Sequence, residues 1–358
     1  MKIAIISFTK DGSKLSVLLK KHFIDEGNEA LAYAKSQYVD FKEIISLKES
    51  LKDWVKRMFP YVDALIFIGA CGIAVRSIAP FVKSKKEDPA VLVLDEQGKF
   101  CISLLSGHIG GANELCEKIS DWVGACAVIT TATDIQGKFA VDVFAGKNKL
   151  HISNMTYAKE VSARLVAGKP TFYLLEEGIY LSKEEKQTLK AQGMWEYKEG
   201  ICKEEIPLGV YIGIYRKKSP FLHTLYLTPA IVTAGIGCRR NTKQSQIENF
   251  MEQTFFHLGL SFHAIKGIAS IDLKKDEEGL LSYCEKYHLP LSFYSKEELK
   301  AVEGKFTSSA FVSSITGVDN VCERSAKKAS EGGCFIQRKI TSEGITLALA
   351  VKELKLRL

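Results

Sequence analysis

Three glycine-rich strings carry the residue types best suited to binding anions or moving protons. Gly69-Ala70-Cys71-Gly72-Ile73-Ala74-Val75-Arg76 is the first, followed by Pro80, Lys83, Lys85, Asp88 and Pro89. Its glycines let backbone N–H groups approach a ligand, and its basic side chains suit a carboxylate; a tight turn with a solvated basic face fits the same residues. Ser106-Gly107-His108-Ile109-Gly110-Gly111-Ala112-Asn113 is the second, leading into an apolar-periodic helix. Glycines before a helix expose unpaired N–H groups at the positive end of its dipole, which favours an anion beside His108. Histidine is the side chain best able to move a proton near neutral pH, and the helix end should disfavour its imidazolium. Close packing at Gly110 and Gly111 explains these glycines equally well.

Gly235-Ile236-Gly237-Cys238-Arg239-Arg240-Asn241-Thr242 is the third. It begins like a dinucleotide fingerprint but lacks the third glycine, and no phosphate-binding G-x-x-x-x-G-K-[ST] string occurs, so nucleotide binding is disfavoured. Two arginines at a helix N-terminus oppose the dipole, and a bound anion would offset them. Cys238 suits a small packing residue better than a nucleophile. A later Ser/Gly-rich stretch around Ser309 runs through Gly317-Val318-Asp319-Asn320-Val321 to Glu323, whose place on a first helical turn is ordinary dipole compensation by spacing alone.

These loops need strands and helices to hold them, and the chain supplies the pattern. Of 358 residues, 46% are hydrophobic and 25% charged, values of a folded globular chain long enough for two or three cores. The N-terminal apolar run is too short for a signal h-region and the longest later one too short for a membrane span, which predicts a cytoplasmic protein. Nine cysteines without a C-x-x-C spacing read as reduced thiols, and no zinc spacing occurs. A net charge of +7, spread along the chain, fits a small polycarboxylate better than nucleic acid.

Residues 1–148 alternate strands and helices, with a fully apolar strand at 64–69, a hairpin at 90–105 and a helix at 112–123. Residues 149–228 form a less regular middle, with helices at 153–166 and 182–192 and strands at 171–175 and 211–215. Residues 229–358 return to the βα rhythm and end in a hairpin at 335–351. The expected fold is α/β: two multi-stranded domains with mainly parallel sheets, joined by a smaller α/β middle domain, with the ligand between the two. All three glycine loops are expected at the strand ends where such sheets bind ligands.

Taken together, the strings resemble the cobalt-precorrin-5A hydrolase family. Gly72 to Arg76, Asp88-Pro89-Ala90-Val91, Leu104 to Asn113 and Thr130-Thr131-Ala132-Thr133-Asp134 are similar, in order, to its N-terminal region. Gly235 to Arg240, Ala269 to Lys274 and Gly317 to Glu323 are similar to its C-terminal domain. The chain departs from that pattern at Asn241, where glycine is usual, and at Arg324-Ser325, where an apolar pair is usual.

The resemblance implies a hydrolase of anaerobic cobalamin biosynthesis. It would open the δ-lactone of cobalt-precorrin-5A and release C20 with its methyl as acetaldehyde, leaving cobalt-precorrin-5B. It implies no cofactor, since the cobalt comes with the substrate, and it makes neighbouring pathway methyltransferases candidate partners. The substrate-binding set it implies is Gly72, Arg76, Lys83, Ser106, Gly107, Gly110, Gly111, Asn113, Gly235, Gly237, Arg239, Arg240, Lys274 and Ser309. His108, by its place in a glycine-rich turn at a helix N-terminus, is the proton-transfer candidate, with Glu323 of the family string and His263 of a predicted loop as fallbacks. The alternative is a non-catalytic tetrapyrrole-binding or carrier protein of the same pathway.

Overall fold

The computed structural model describes residues 1–36, 41–84, 87–108, 110–131, 137–198, 206–216, 218–309 and 316–358. Lys85, Ile109, Ala132-Thr133-Asp134, Cys202, Lys217 and Ala310-Phe311-Val312 lie outside the described residues. The chain divides into two compact units, Met1–Val143 and Phe144–Leu358.

The first unit is built on seven strands: β1 (Lys2–Ser7), β2 (Glu29–Ala34), β3 (Ile44–Ser46), β4 (Ala64–Ile68), β5 (Ala90–Leu94), β6 (Phe100–Leu105) and β7 (Cys126–Val128). They lie in the order β3-β2-β1-β4-β5-β6-β7. Alternate side chains of each strand point to opposite faces. Ile3, Ile5 and Ile66 pack under α1 (Lys10–Asp25), while Ala4, Ile6 and Phe67 pack against α2 (Leu51–Met58) and α3 (Cys71–Ile78). Both faces being covered, β4 reads Ala-Leu-Ile-Phe-Ile and is buried throughout. Helix starts are set locally: Thr9 accepts from the Gly12 N–H and Ser50 from the Asp53 N–H.

One pairing matters for the site. Every neighbouring pair in this sheet is parallel except β5 and β6, joined by the expected hairpin. Ile68 at the end of β4 lies opposite Leu94 at the end of β5, whereas Leu105 at the end of β6 lies opposite Val91 near the start of β5. The loops after β4 and β6 therefore leave from opposite edges of the sheet. The helix α4 (Ala112–Val123) follows β6, and α5 (Val141–Lys147) begins where the unit ends.

The second unit holds two sheets. The middle region supplies β8 (Leu150–Ile152), β9 (Thr171–Leu175), β11 (Met194–Glu196), β12 (Leu208–Ile212) and β13 (His223–Pro229), in the order β11-β9-β12-β13-β8. Its helices are α6 (Met155–Val166) and α7 (Lys183–Ala191), the latter opened by a Ser182/Glu185 capping box. The strand expected at 211–215 lies at 208–212, and four strands of this region escaped the sequence reading. β8, β10 (Ile179–Tyr180) and β11 are too short to show a period, and β13 mixes His, Thr and Pro into its apolar pattern.

The C-terminal region supplies β14 (Val232–Gly237), β15 (Ile265–Ile271), β16 (Leu291–Tyr294), β17 (Cys334–Ser342) and β18 (Ile345–Val351), ordered β16-β15-β14-β18-β17. It is evenly mixed, because the terminal hairpin adds two antiparallel neighbours to two parallel ones. Glu343 and Gly344, with φ of 47° and 82°, make the two-residue turn of that hairpin. The helices are α8 (Gln244–Leu258), α9 (Glu278–Lys286), α10 (Lys296–Lys300) and α11 (Val321–Ala329), and β19 (Leu354–Lys355) pairs with β10. The chain is thus α/β, with a smaller middle region between N-terminal and C-terminal mixed sheets in sequence order. No described helix is long and apolar enough to cross a membrane.

Candidate functional site

The expectation of one site shared by the first two loops is corrected by the direction of β6. The 69–76 loop leaves the sheet at one edge and the 106–113 loop at the other, about 15 Å apart for strands of this length. At the first edge the Arg76 guanidinium folds back on its own helix, so that a Cβ added at Gly72 would meet it at 3.3 Å. Lys83 belongs to the other edge. Its N–H donates to both oxygens of the buried Asp88 carboxylate at 3.0 and 3.1 Å, and Ser106 Oγ donates to the Asp88 carbonyl at 3.0 Å.

The N–H groups of Gly111, Ala112 and Asn113 at this helix end are already spent and not held for an anion, a second correction. Gly111 N–H donates to the His108 carbonyl, Ala112 N–H to the Ser106 carbonyl and Asn113 N–H to the Gly107 carbonyl, at 2.9–3.1 Å. The loop closes on itself because Ser106 (φ 58°) and Gly111 (φ 81°) turn left-handed, and only glycine does so cheaply. A side chain at Gly107 would meet Asn113 Oδ1 at 2.7 Å, and one at Gly110 would overlap Ser106. Asn113 also accepts from Ser103 Oγ at 2.6 Å and donates to Thr131 Oγ1 at 3.2 Å.

What this closed loop holds out is the His108 imidazole. Its Nδ1 lies 3.3 Å from Oδ1 of Asp142, with side-chain exposures of 16% and 10%. The same oxygen accepts from the Val143 N–H at 3.1 Å, which steadies the carboxylate. The group facing the ring is thus a buried carboxylate and not an open helix end. Such a partner orients the imidazole, fixes its tautomer and stabilises the cation formed when the other nitrogen takes a proton. Asp142 was not legible in the sequence, where it is one more acid on a short helix.

In the third loop, Gly235 and Gly237 are places of close packing. A Cβ at Gly235 would overlap the Cys322 carbonyl of α11, and one at Gly237 would come within 2.6 Å of Thr346 Oγ1. Asn241 has φ of 61°, which explains why this departure from glycine is tolerated: asparagine is the side chain that best accepts the left-handed region. Arg240 bonds Asp276 at 2.7 Å and holds that carboxyl below the usual range; Lys274 bonds the buried Glu277 at 3.1 Å. Glu277 also accepts from the Thr242 N–H at 3.2 Å. Arg239 is exposed and makes no ion pair with a described residue. Burial pushes the Cys238 thiol up, against activation as a nucleophile.

Glu323, expected as a proton-transfer candidate, is completely buried. Its carboxylate accepts from Thr307 N–H, Thr307 Oγ1 and Lys339 N–H at 2.8–2.9 Å, with Arg338 at 3.8 Å. A saturated carboxylate with no open side clamps a loop and β17 to α11 and has no route to a substrate. Arg324 and Ser325 likewise have internal partners, Asp319 at 2.8 Å and the Ala269 carbonyl at 3.2 Å, so the polar pair is at home there. Ser309 N–H donates to the Asp319 carbonyl at 2.9 Å. His263 stacks on His151, ring centroids 3.4 Å apart, and burial, helped by Arg216, pushes it down.

Three family models match successive stretches of the chain from residue 53 to residue 350. Residues 53–134 match the family described as cobalamin synthesis G N-terminal, 139–229 the cobalamin biosynthesis central region, and 232–350 the cobalamin synthesis G C-terminus. A cobalt-precorrin-5A hydrolase of Priestia megaterium is 30% identical, over 97% of this chain and 94% of that protein. Another of the same name from Salmonella typhimurium is 34% identical over 83% and 84%. A cobalamin biosynthesis protein G homolog from Sulfolobus solfataricus, solved by crystallography, is 21% identical, with 98% and 97% coverage and a TM-score of 0.40. The chain therefore belongs to the cobalamin synthesis G family.

Proposed function

We propose that the chain opens the δ-lactone of cobalt-precorrin-5A and releases C20 with its methyl group as acetaldehyde, giving cobalt-precorrin-5B. The observation that carries this reading is the His108–Asp142 pair on a loop that spends three of its described N–H groups on its own carbonyls, in a chain similar along its length to proteins named for this hydrolysis. His108 takes a proton from water as the water oxygen adds to the lactone carbonyl, and Asp142 stabilises the imidazolium so formed. The ring acetate leaves as a carboxylate and C20 keeps the alcohol oxygen. Loss of the alcohol proton breaks the bond holding C20 to the macrocycle. The conjugated ring takes the electron pair and then a proton, which balances the addition of one water. Little beyond acid-base help and positioning is asked of the protein.

Lys83, Ser106, Gly107, Gly110, Gly111 and Asn113 are proposed as the substrate-binding residues on this side of the sheet. In the second unit, Arg239 is proposed as a contact to a substrate carboxylate, since it is exposed and makes no ion pair with a described residue, whereas Arg240 and Lys274 are paired with Asp276 and Glu277 and Gly235 and Gly237 serve close packing. The test is acetaldehyde release from anaerobic cobalt-precorrin-5A, read through alcohol dehydrogenase. No acetaldehyde from the intact protein would overturn the reading.

A further inference from the structure

Outside everything the sequence singled out, the second unit holds a cleft of about 1100 Å³ between the middle region and the terminal hairpin. Ligand sites run to roughly 300–1000 Å³, so this one suits a ligand larger than an ordinary metabolite. It opens at the C-terminal ends of the parallel strands β9 and β12, the edge at which α/β sheets take ligands. Its far wall is Ile336 of β17 and Val351 of β18, and the β10–β19 ladder brings Tyr180 to its rim.

The polar centre of the cleft is Glu176, directly after β9. Its Oε2 accepts from Tyr211 Oη at 2.8 Å and from the Ile214 N–H at 2.7 Å. Gly213 makes room for it, since any side chain there would overlap that oxygen. Burial raises the Glu176 carboxyl above its ordinary range. A carboxyl built into the end of a sheet, with a glycine cleared for it, has no part in the chemistry assigned to His108. The ionisable lining is acidic on balance, Glu176, Glu177, Glu331 and Glu353 against Lys218 and Lys352. Glu331 and Lys352 bond one another, and Lys218 lies 4.2 Å over the Tyr215 ring. Carboxylate-bearing edges are therefore repelled, whereas tyrosine and aliphatic walls suit an apolar ring face.

We propose that this cleft binds the flat face of a conjugated macrocycle, stacked on Tyr180 against the aliphatic wall and met by Glu176, with the ligand's carboxylates held outside. This rests on the corrinoid reading above, and the cleft lies wholly within the second unit.

The experiment titrates cobyrinic acid, a stable cobalt corrin polycarboxylate, into the full chain and follows the corrin absorbance. Tyr180→Ala, at a position 43% exposed and so safe for folding, should raise the dissociation constant about 3- to 10-fold. Glu176→Gln, which keeps an acceptor for Tyr211, should shift it measurably, and Ile336→Trp, which fills the cleft, should shift it most. Unchanged affinity in all three variants overturns the site, even if the wild type releases acetaldehyde. Weakened binding in the variants, with no acetaldehyde from the wild type, keeps the site and sinks the hydrolase reading instead. If cobyrinic acid does not bind the wild type, an unchanged KM for cobalt-precorrin-5A in all three variants overturns the site, and a raised KM supports it.

Discussion

The loop at 106–113 and the loop at 235–242 look alike in sequence, each a glycine string running into a helix, yet they use their polar groups in opposite ways. In the first, the N–H groups of Gly111, Ala112 and Asn113 are consumed by backbone carbonyls, and the His108 side chain faces a buried carboxylate at 3.3 Å. In the second, the side chains are consumed: Arg240 by Asp276, Lys274 by Glu277. A glycine-rich loop is thus evidence of close packing first. Whether it can do chemistry depends on which of its polar groups the rest of the fold has already spent.

The largest test of this contrast is His108→Ala. Removing a general base typically costs about 10²- to 10⁴-fold, so acetaldehyde turnover should fall by that order with corrinoid affinity little changed. Asp142→Asn should fall in the same direction but less. A His108→Ala enzyme with near wild-type turnover would show that both loops are structural.

Next in size are the packing positions of the C-terminal region. Gly235→Ala forces a methyl into the Cys322 carbonyl and should destabilise by about 1–3 kcal/mol or more, as overpacking does. Glu323→Ala leaves the Thr307 and Lys339 N–H groups unpaired in a sealed site, at about 1–3 kcal/mol for each stranded group. Urea unfolding measures both. If Glu323→Ala kept full stability but lost turnover, its placement as a clamp would be wrong.

A finer test compares neighbours. Arg239→Ala should weaken corrinoid binding roughly tenfold, the scale of one charge-assisted hydrogen bond. Arg240→Ala should weaken it less, since that guanidinium must first leave Asp276. Equal losses in isothermal titration would break the distinction.

The smallest effect separates the two histidines. Burial and Arg216 hold His263 below its ordinary value, so the unfolded chain takes up the proton more readily. Stability contributed by neutral His263 is present above pH 6.5 and is lost as pH falls from there toward the depressed folded value. Thermal unfolding at pH 8 and pH 5.5 should show a smaller acid loss for His263→Gln than for the wild type. An identical loss in both proteins would remove His263 as the source.

Much of the fold could be read from periodicity. The buried run of β4, the hairpin at 90–105, the helix of α4 and the terminal hairpin all stand where their apolar spacing and turn residues put them. The middle region was the weakest reading, because two- and three-residue strands carry no period. Of the site, the loop bearing His108 was legible, but Asp142 and Glu176 were not. Each gains meaning only from a partner distant in sequence: 34 residues separate His108 from Asp142 (142 − 108), and 35 separate Glu176 from Tyr211.

By itself the sequence determined the α/β class, the order of its regions and the strings that tie the chain to its family, because these depend on local periodicity and residue type. Tertiary structure alone decided the rest. The hairpin that the sequence announced reverses β6 and sends its loop to the far edge of the sheet, away from Arg76. Which cations remain uncommitted, which carboxylates are sealed and where a cleft opens are likewise settled by long-range packing. Charge pairing and burial depend on distances through space, and those are fixed only when the strands have found their register.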